Sequence, residues 1–211
     1  MQSYNNDPLL KVMLLEETRT HREADQVIQG TYGDVIDGKW RGCAVGCAIH
    51  SLNSRLGTDY ETSDHAVYEE ALGIPEWLAR LEDTIFEHLP REQAMLWPEQ
   101  FTESIPVGVS EFSLERVKWQ FCAYLLKENI ERVLTLEIAD ELKKQVVSAV
   151  RRVLLVHETA LQTERWDESA ARSAESAARS ARSAESAAWS AESAAYERYA
   201  EELLRLLRSA E

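Results

Sequence analysis

The chain has 211 residues, of which 45% are hydrophobic, so it is long enough for one large domain or for one domain with an appendage. Lys and Arg number 23 against 37 Asp and Glu, and the net charge of −14 argues against binding of nucleic-acid polymers or anionic membranes. The N-terminus is polar and no run of about eighteen apolar residues occurs, so neither a secretory signal nor a membrane span is expected. The odd number of cysteines, three, indicates reduced thiols and a cytoplasmic protein.

The first helix is predicted from its capping residues. Asp7 followed by Pro8 is typical of a helix start, because the aspartate side chain caps the helix and proline fits the first helical position. Apolar residues recur after this point, and Gly30 is placed to end the helix as a C-terminal cap. Residues 31–39 are then expected to form a loop.

The second helix is rich in small residues. It is expected to begin at Trp40 or Arg41 and to end near Ser54. Gly42 and Gly46 are four residues apart, so two adjacent faces of the helix carry little bulk. This pattern favours close packing, and we expect this helix to be the buried axis of the N-terminal half.

Short helices are expected after the second helix, and long ones near the C-terminus. Gly73 and Pro90 are placed to end two of the short helices, with Asp64 or Ser63 as a cap. No glycine or proline follows position 108, which indicates long helices. Ser113 is expected to cap one of these, and apolar spacing predicts another over about 130–161.

The C-terminal region contains one internal repeat. Residues 169–196 divide into four groups of seven, and their alanines alternate in steps of four and three. This is the spacing of a coiled-coil seam, although alanine buries little area. Two interpretations remain open, namely a helix that packs on the protein's own long helix and a seam for self-association. We expect a homo-oligomer.

These patterns predict an all-α protein with three parts. Residues 1–110 would form a compact helical domain with a glycine-rich loop and the small-residue helix. Residues 111–165 would form long helices that pack against it, and residues 166–211 an alanine-rich, heptad-like helix.

A candidate anion site lies at the expected start of the second helix. Lys39 and Arg41 flank Trp40 in otherwise acidic surroundings. Free backbone N–H groups of Gly42 and Cys43, the helix dipole and the two cations would suit a phosphate or a carboxylate. The alternative is that the two cations pair with nearby acidic side chains, such as those of Asp34 and Asp37.

Further residues are candidates for the same ligand. An aromatic side chain would stack on a nucleotide base, and additional basic or imidazole groups would reach the same anion site. The predicted ligand-binding residues are Lys39, Arg41, Gly42, Cys43, Trp40, Tyr32, Trp77, Arg22, His21, His50 and Arg80.

A thiolate metal site is a second possibility. Cys43, Cys47 and His50 fall at i, i+4 and i+7 on one helix face, and Cys122 or another histidine would complete four zinc ligands. Core packing competes with this interpretation, because free cysteine is among the most buried residue types. Cys43 beside Arg41 would also suit a thiol enzyme.

Enzyme motifs are otherwise missing from the sequence, which contains no HExxH and no GxSxG pattern. Asp83, Glu87 and Glu76 share a helix face, which is more typical of a solvated surface than of an acid–base pair. We therefore expect neither an enzyme nor a cofactor.

The run GKWRGCAVGCAIH is preceded by HREADQVIQGTY and followed by GIPEWLARLEDTIFEHLP and IPVGV. Over about residues 20–110, and in its alanine-rich tail, the chain resembles a family of bacterial and phage-borne proteins. The resemblance implies no activity and no residue roles. Small phage-borne proteins include some that capture nucleotide immune signals, which is consistent with the anion site.

The leading prediction is a non-enzymatic protein that binds or sequesters a small anionic ligand, such as a nucleotide or a nucleotide-derived signal. A counter-defence sponge carried by a phage would have this activity. The alternatives are a structural or protein-interaction module and a thiolate metal protein or thiol enzyme.

Overall fold

The structure is a computed structural model that describes residues 1–173 and 193–211. Helices form almost all of its regular structure, and the sheet among these residues has two strands. The predicted all-α class is therefore confirmed. In the same residues, no helix combines the length and the apolar character needed to cross a lipid bilayer.

Helices are numbered here in chain order. A 3₁₀ helix over Ser3–Asn6 precedes them, and residues 168–173 are also helical. The helices are α1 (Pro8–Glu23), α2 (Ala44–Leu56), α3 (Ala66–Leu72), α4 (Glu76–His88), α5 (Arg91–Ala94), α6 (Trp97–Ser104), α7 (Glu111–Thr135), α8 (Asp140–Thr163) and α9 (Ser193–Arg208).

The chain divides into two compact units. The first comprises Met1–Leu114 together with Ser193–Glu211, and the second comprises Glu115–Glu192. Helix α9 therefore belongs to the same unit as the N-terminal half, where it packs against α4 and α6. Its Leu203 and Leu207 are fully buried, so the last helix is anchored by its apolar residues.

Helix α1 begins as predicted but ends earlier. The Asp7 side chain accepts a hydrogen bond from the backbone N–H of Leu9 at 2.8 Å, which confirms the cap. The helix ends at Glu23, so the prediction of a cap at Gly30 is wrong. Asp25 adopts a left-handed conformation with φ +56°, which interrupts the helix.

A β-hairpin replaces the predicted loop and the predicted start of the second helix. Strand β1 (Asp34–Ile36) pairs antiparallel with β2 (Lys39–Arg41). The turn residues Asp37 and Gly38 both have positive φ, as a type I′ hairpin turn requires. The prediction that Trp40 or Arg41 opens a helix is therefore wrong.

Helix α2 starts at Ala44 and is capped by Cys43. The Cys43 sulfur accepts a hydrogen bond from the Gly46 N–H at 3.4 Å. The helix is buried along most of its length and packs against α1, α3, α4 and α6. The expectation that this helix is the buried axis of the N-terminal half is confirmed.

The short helices follow the predicted signals. Asp64 accepts a hydrogen bond from the N–H of Ala66 at the start of α3, and Gly73 ends that helix with φ +61°. Pro75 precedes α4, and Pro90 follows its C-terminal end. Capping and helix-breaking residues in the sequence therefore predict where these short helices begin and end.

The predicted helix over 130–161 is two helices in the structure. Helix α7 ends at Thr135 and α8 begins at Asp140, although no glycine or proline lies between them. The extended backbone of Ala139 turns the chain, and an apolar cluster that includes Ile130 and Val146 holds the two helices together. The cap near the start of α7 is also corrected, because Ser110 rather than Ser113 supplies the accepting hydroxyl.

The alanine repeat is largely outside the described residues. Residues 174–192 carry most of the predicted seam, so both interpretations of the repeat stay predictions.

Gly46 provides a test of how closely the chain packs at the centre of the first unit. A Cβ atom at this position would overlap the carbonyl oxygen of Tyr32, so Gly46→Ala must displace the backbone of that loop. We expect a loss of about 1–3 kcal/mol or more in the free energy of unfolding, measured by chemical denaturation. Ser54→Ala, at an exposed position of the same helix, is the control. Equal stability of both variants would contradict the close contact.

Candidate functional site

The basic residues of the predicted anion site lie on the hairpin. Lys39 and Arg41 are on strand β2, not at a helix start. The Arg41 guanidinium forms an ion pair with Asp25 at 3.1 Å, whereas the Lys39 side chain is exposed. One of the two predicted cations therefore has an acidic partner already.

The predicted backbone donors are also engaged. The N–H of Gly42 donates to the carbonyl of Gln26 at 2.9 Å, and the N–H of Cys43 donates to the carbonyl of Thr31 at 2.7 Å. The expectation that these groups are free is wrong, because the segment before α2 pairs with the loop that follows α1.

Trp40 belongs to an aromatic cluster with two histidines. Its ring stacks on His50 with centroids 4.0 Å apart, and His21 lies 5.6 Å from Trp40. Burial lowers the pKa of both His21 and His50. A hydrogen bond with Gln26 opposes the shift at His21, and the charge of Glu17 opposes it at both histidines. These imidazoles are therefore neutral near pH 7 and offer no positive charge to a phosphate.

The remaining predicted ligand residues lie elsewhere in the first unit. Arg22 forms an ion pair with Glu99 of α6, and Arg80 bonds to Glu76 one turn earlier on α4. Trp77 is half-buried on α4. Only part of the predicted set, His21, Trp40 and His50, is brought into one cluster.

Tyr32 points to a different site. Its hydroxyl donates to the Asp83 carboxylate at 2.9 Å, and its ring meets the edge of the His65 ring at 5.6 Å. His65 also contacts Asp83, with Nε2 3.2 Å from Oδ2.

A cluster of possible metal ligands surrounds this carboxylate. The sulfur of Cys43 and carboxylate oxygens of Asp83 and Glu87 all lie within 4.8 Å of one another. Cys43 is positioned by the start of α2, and the two carboxylates lie one turn apart on α4, which packs against α2. We call these three residues the Cys43–Asp83–Glu87 cluster.

The loop before β1 lies against this cluster. The Gly30 N–H donates to Glu87 Oε2 at 2.9 Å, and the Tyr32 hydroxyl occupies Asp83 Oδ2. Asp83 Oδ1 is buried and has no hydrogen-bond partner in the described part of the chain. One carboxylate oxygen of the cluster is therefore available to a further ligand.

The electrostatics of the cluster favour uptake of a cation. Burial raises the pKa of the Cys43 thiol, and the Asp83 carboxylate raises it further. The hydrogen bond from the Gly46 N–H acts in the opposite direction but is the smaller effect. The pKa of Glu87 is also raised by burial, and then by Asp83, while the Gly30 N–H opposes the shift. Among the ion pairs of the described residues, none joins Lys or Arg to Asp83 or Glu87, and His65 is the basic side chain in contact with Asp83.

The predicted thiolate site is corrected by this geometry. Cys47 is not in the cluster, since its thiol donates to the carbonyl of Gly42 at 3.4 Å, and burial raises the pKa of Cys47 to about 12. His50 is stacked on Trp40, and Cys122 lies in the second unit. Within the described residues, Cys43 meets two carboxylates rather than Cys47 and His50.

The helical spacing of Asp83 and Glu87 places them on one face, but no sequence pattern connects either of them with Cys43. Asp83 and Glu87 were expected to be a solvated face, and Glu76 of that set pairs with Arg80 instead. His65 was missed, because nothing in its spacing connects it with Asp83. No protein family, curated protein or solved structure matches this chain.

A buried carboxyl group lies beside the cluster in the sequence. Glu82 is only 2% exposed, and its Oε2 has no hydrogen-bond partner among the residues that the structure describes. Burial raises its pKa from the ordinary 4.5 to about 8, although a hydrogen bond from Tyr68 opposes the shift. At neutral pH the group is therefore largely protonated in the folded chain.

This shift predicts a pH-dependent stability. Because the folded chain holds the Glu82 proton more tightly than the unfolded chain, the contribution of Glu82 to the free energy of unfolding falls as pH rises from about 4.5 to about 8. Glu82→Gln keeps a neutral side chain of the same shape and has no proton to lose in this range. The free energy of unfolding of the variant, relative to that of wild type, should therefore rise by on the order of a few kcal/mol between pH 5 and pH 8.5, measured by urea denaturation.

Glu92→Gln, at an exposed position of α5, is the control for this measurement and should show no such gain. A constant difference between wild type and Glu82→Gln across the pH range would contradict the raised pKa.

Proposed function

We propose that this protein binds a divalent transition-metal ion, best matched by Zn²⁺, through the thiolate of Cys43 and the carboxylates of Asp83 and Glu87. The observation that carries the proposal is the mutual distance of these three ligand atoms, none of which is more than 4.8 Å from the others.

The distances are close to those of a zinc site. Zinc bonds of about 2.0–2.3 Å in a tetrahedron place neighbouring ligand atoms roughly 3.6 Å apart. The ligand atoms therefore need to move by roughly 1 Å or less to surround an ion. Cys43 is buried whereas Asp83 and Glu87 are half-buried, so we expect the two carboxylate side chains to make this movement.

The chemistry of the donors favours zinc over other common cations. Mg²⁺ and Ca²⁺ prefer sites made of oxygen alone, whereas a thiolate favours the softer Zn²⁺. A bound dication would also relieve the repulsion between the acidic groups and deprotonate the Cys43 thiol. The pKa of that thiol is raised without the ion, so metal binding must release a proton.

Two neighbouring side chains hold the Asp83 carboxylate in place, as hydrogen-bonding groups around a metal ligand do. The Tyr32 hydroxyl and the His65 ring both bond to Asp83 Oδ2, which fixes the carboxylate and leaves Oδ1 for the ion. Three protein ligands leave a fourth zinc position open, as in sites where zinc binds water, an anion or a substrate. A small anionic ligand, if this protein takes one, is better placed on that position than at the start of α2.

The earlier anion site on the hairpin stays a second proposal. One observation favours it, because the buried Nε of Arg41 has no hydrogen-bond partner within the described residues. The engaged N–H groups and the stacked Trp40 weigh against it. A counter-defence role rests on the family resemblance alone and stays a prediction.

A reduced Cys43 is required for the proposed site. The three cysteines, Cys43, Cys47 and Cys122, are all free, which supports the proposed cytoplasmic location.

Zinc titration of matched variants tests the proposal. Wild-type protein should bind one Zn²⁺ per chain, measured by competition with a chromophoric chelator, and excess Mg²⁺ should not displace it. Cys43→Ser should remove most of the affinity because it deletes the sulfur ligand. His65→Ala should weaken binding by about 10–100-fold, since it leaves the ligands in place but frees the Asp83 carboxylate.

Cys122→Ser is the control, because it removes a thiol from the second unit and should bind zinc as wild type does. Equal affinity of Cys43→Ser and wild type for Zn²⁺ would contradict the proposal. Absence of zinc binding in wild-type protein that is folded and reduced would do the same.

A further inference from the structure

Helix α8 has an exposed face that is both basic and apolar. A groove of about 620 Å³ runs along it, and its lining includes the apolar residues Leu134, Val147 and Leu155. Leu134 is 53% exposed and Leu155 is 63% exposed. Lys144 and Arg151 lie on the same face of the helix, so cations and apolar side chains alternate along it.

The cations of this groove have no ion-pair partner among the described residues. Lys143, Lys144, Arg151 and Arg152 line it, and none of them forms an ion pair with the described residues. Asp140, at the start of the helix, is the acidic residue of the lining. Most of the negative charge lies in the first unit, whose residues include 24 Asp and Glu against eleven Lys and Arg.

Helix α1 has an exposed face of the opposite charge. Leu9 is 74% exposed and Val12 is 48% exposed, and Glu16 and Glu23 follow on the same side. Glu16 and Glu23 form no ion pair with the described residues, and Arg19 beside them is bonded to Glu99. An acidic, partly apolar helix face is therefore without a partner in the first unit.

The two faces have the same spacing in opposite directions. Val12, Glu16 and Glu23 are separated by four and seven residues along α1. On α8, Leu155, Arg151 and Lys144 are separated by four and seven residues in the reverse direction. In an antiparallel pair of helices, an apolar contact and two opposite-charge pairs would form together.

We propose that α1 of one copy of this protein binds the groove of α8 on a second copy. Val12 then packs on Leu155, Glu16 pairs with Arg151, and Glu23 pairs with Lys144. Because the two surfaces are different, the contact is heterologous, and copies join head to tail into a ring or a filament.

The net charge of −14 opposes association only at long range. At 0.15 M salt the Debye length is about 8 Å, so repulsion between distant acidic groups is screened while pairs in contact persist. Electrostatic complementarity of this kind sets the register and the choice of partner more than the total affinity.

Analytical ultracentrifugation of charge-reversed variants tests this interface. Wild-type protein should form species larger than a monomer at 0.15 M salt, whereas Glu16→Arg and Arg151→Glu should each lose self-association. The double variant with both changes should regain it, because the pair is restored with reversed sign. Glu92→Arg, an exposed reversal on α5, is the control and should associate as wild type does.

A mixture of the two single variants separates this interface from others. The intact α1 of Arg151→Glu fits the intact groove of Glu16→Arg, and the two altered surfaces pair with reversed sign, so an equimolar mixture should regain the self-association that each variant alone has lost. Circular dichroism melting curves confirm that each variant is folded. A monomeric wild type, or single variants that associate as wild type does, would overturn the proposal.

Discussion

The first unit depends on a contact between the backbone of two segments. The carbonyl of Tyr32 lies so close to Gly46 that no side chain fits there, and the loop before the hairpin therefore rests directly on α2. From that position the loop accepts the N–H of Cys43 and donates the N–H of Gly30 to Glu87. The Tyr32 hydroxyl reaches Asp83 from the same loop. Because Gly46 has no Cβ, the loop can approach α2 closely enough to make these contacts around the Cys43–Asp83–Glu87 cluster.

The acidic groups at this place cost stability in the metal-free protein. Burial and mutual repulsion raise the pKa of Cys43 and of Glu87, and Glu82 is buried a few residues away. Groups of this kind persist in a folded protein when protons or a cation neutralise them. Local conflicts with stability concentrate at functional sites, which is why the cluster is a better candidate than Arg41, which already forms an ion pair with Asp25.

Local signals in the sequence are enough for the fold class and for several helix ends, although not for the end of α1 or the break between α7 and α8. The Asp7 cap and the Gly73 stop depend on neighbouring residues only, and both are confirmed. The hairpin was missed although Asp37–Gly38 is a typical type I′ turn, because the glycine-rich stretch was interpreted as a loop that enters a helix. The cluster itself could not be predicted, since it forms where α2 packs on α4 and no local pattern encodes that contact.

The measurement that tests the central claim most directly is anomalous diffraction from crystals of the protein soaked with Zn²⁺. Data collected above and below the zinc absorption edge locate the ion without reference to any activity. The account predicts an anomalous peak about 2.0–2.3 Å from the Cys43 sulfur and from oxygens of Asp83 and Glu87. Crystals in which zinc binds only at other residues, with no peak between these three, would contradict it.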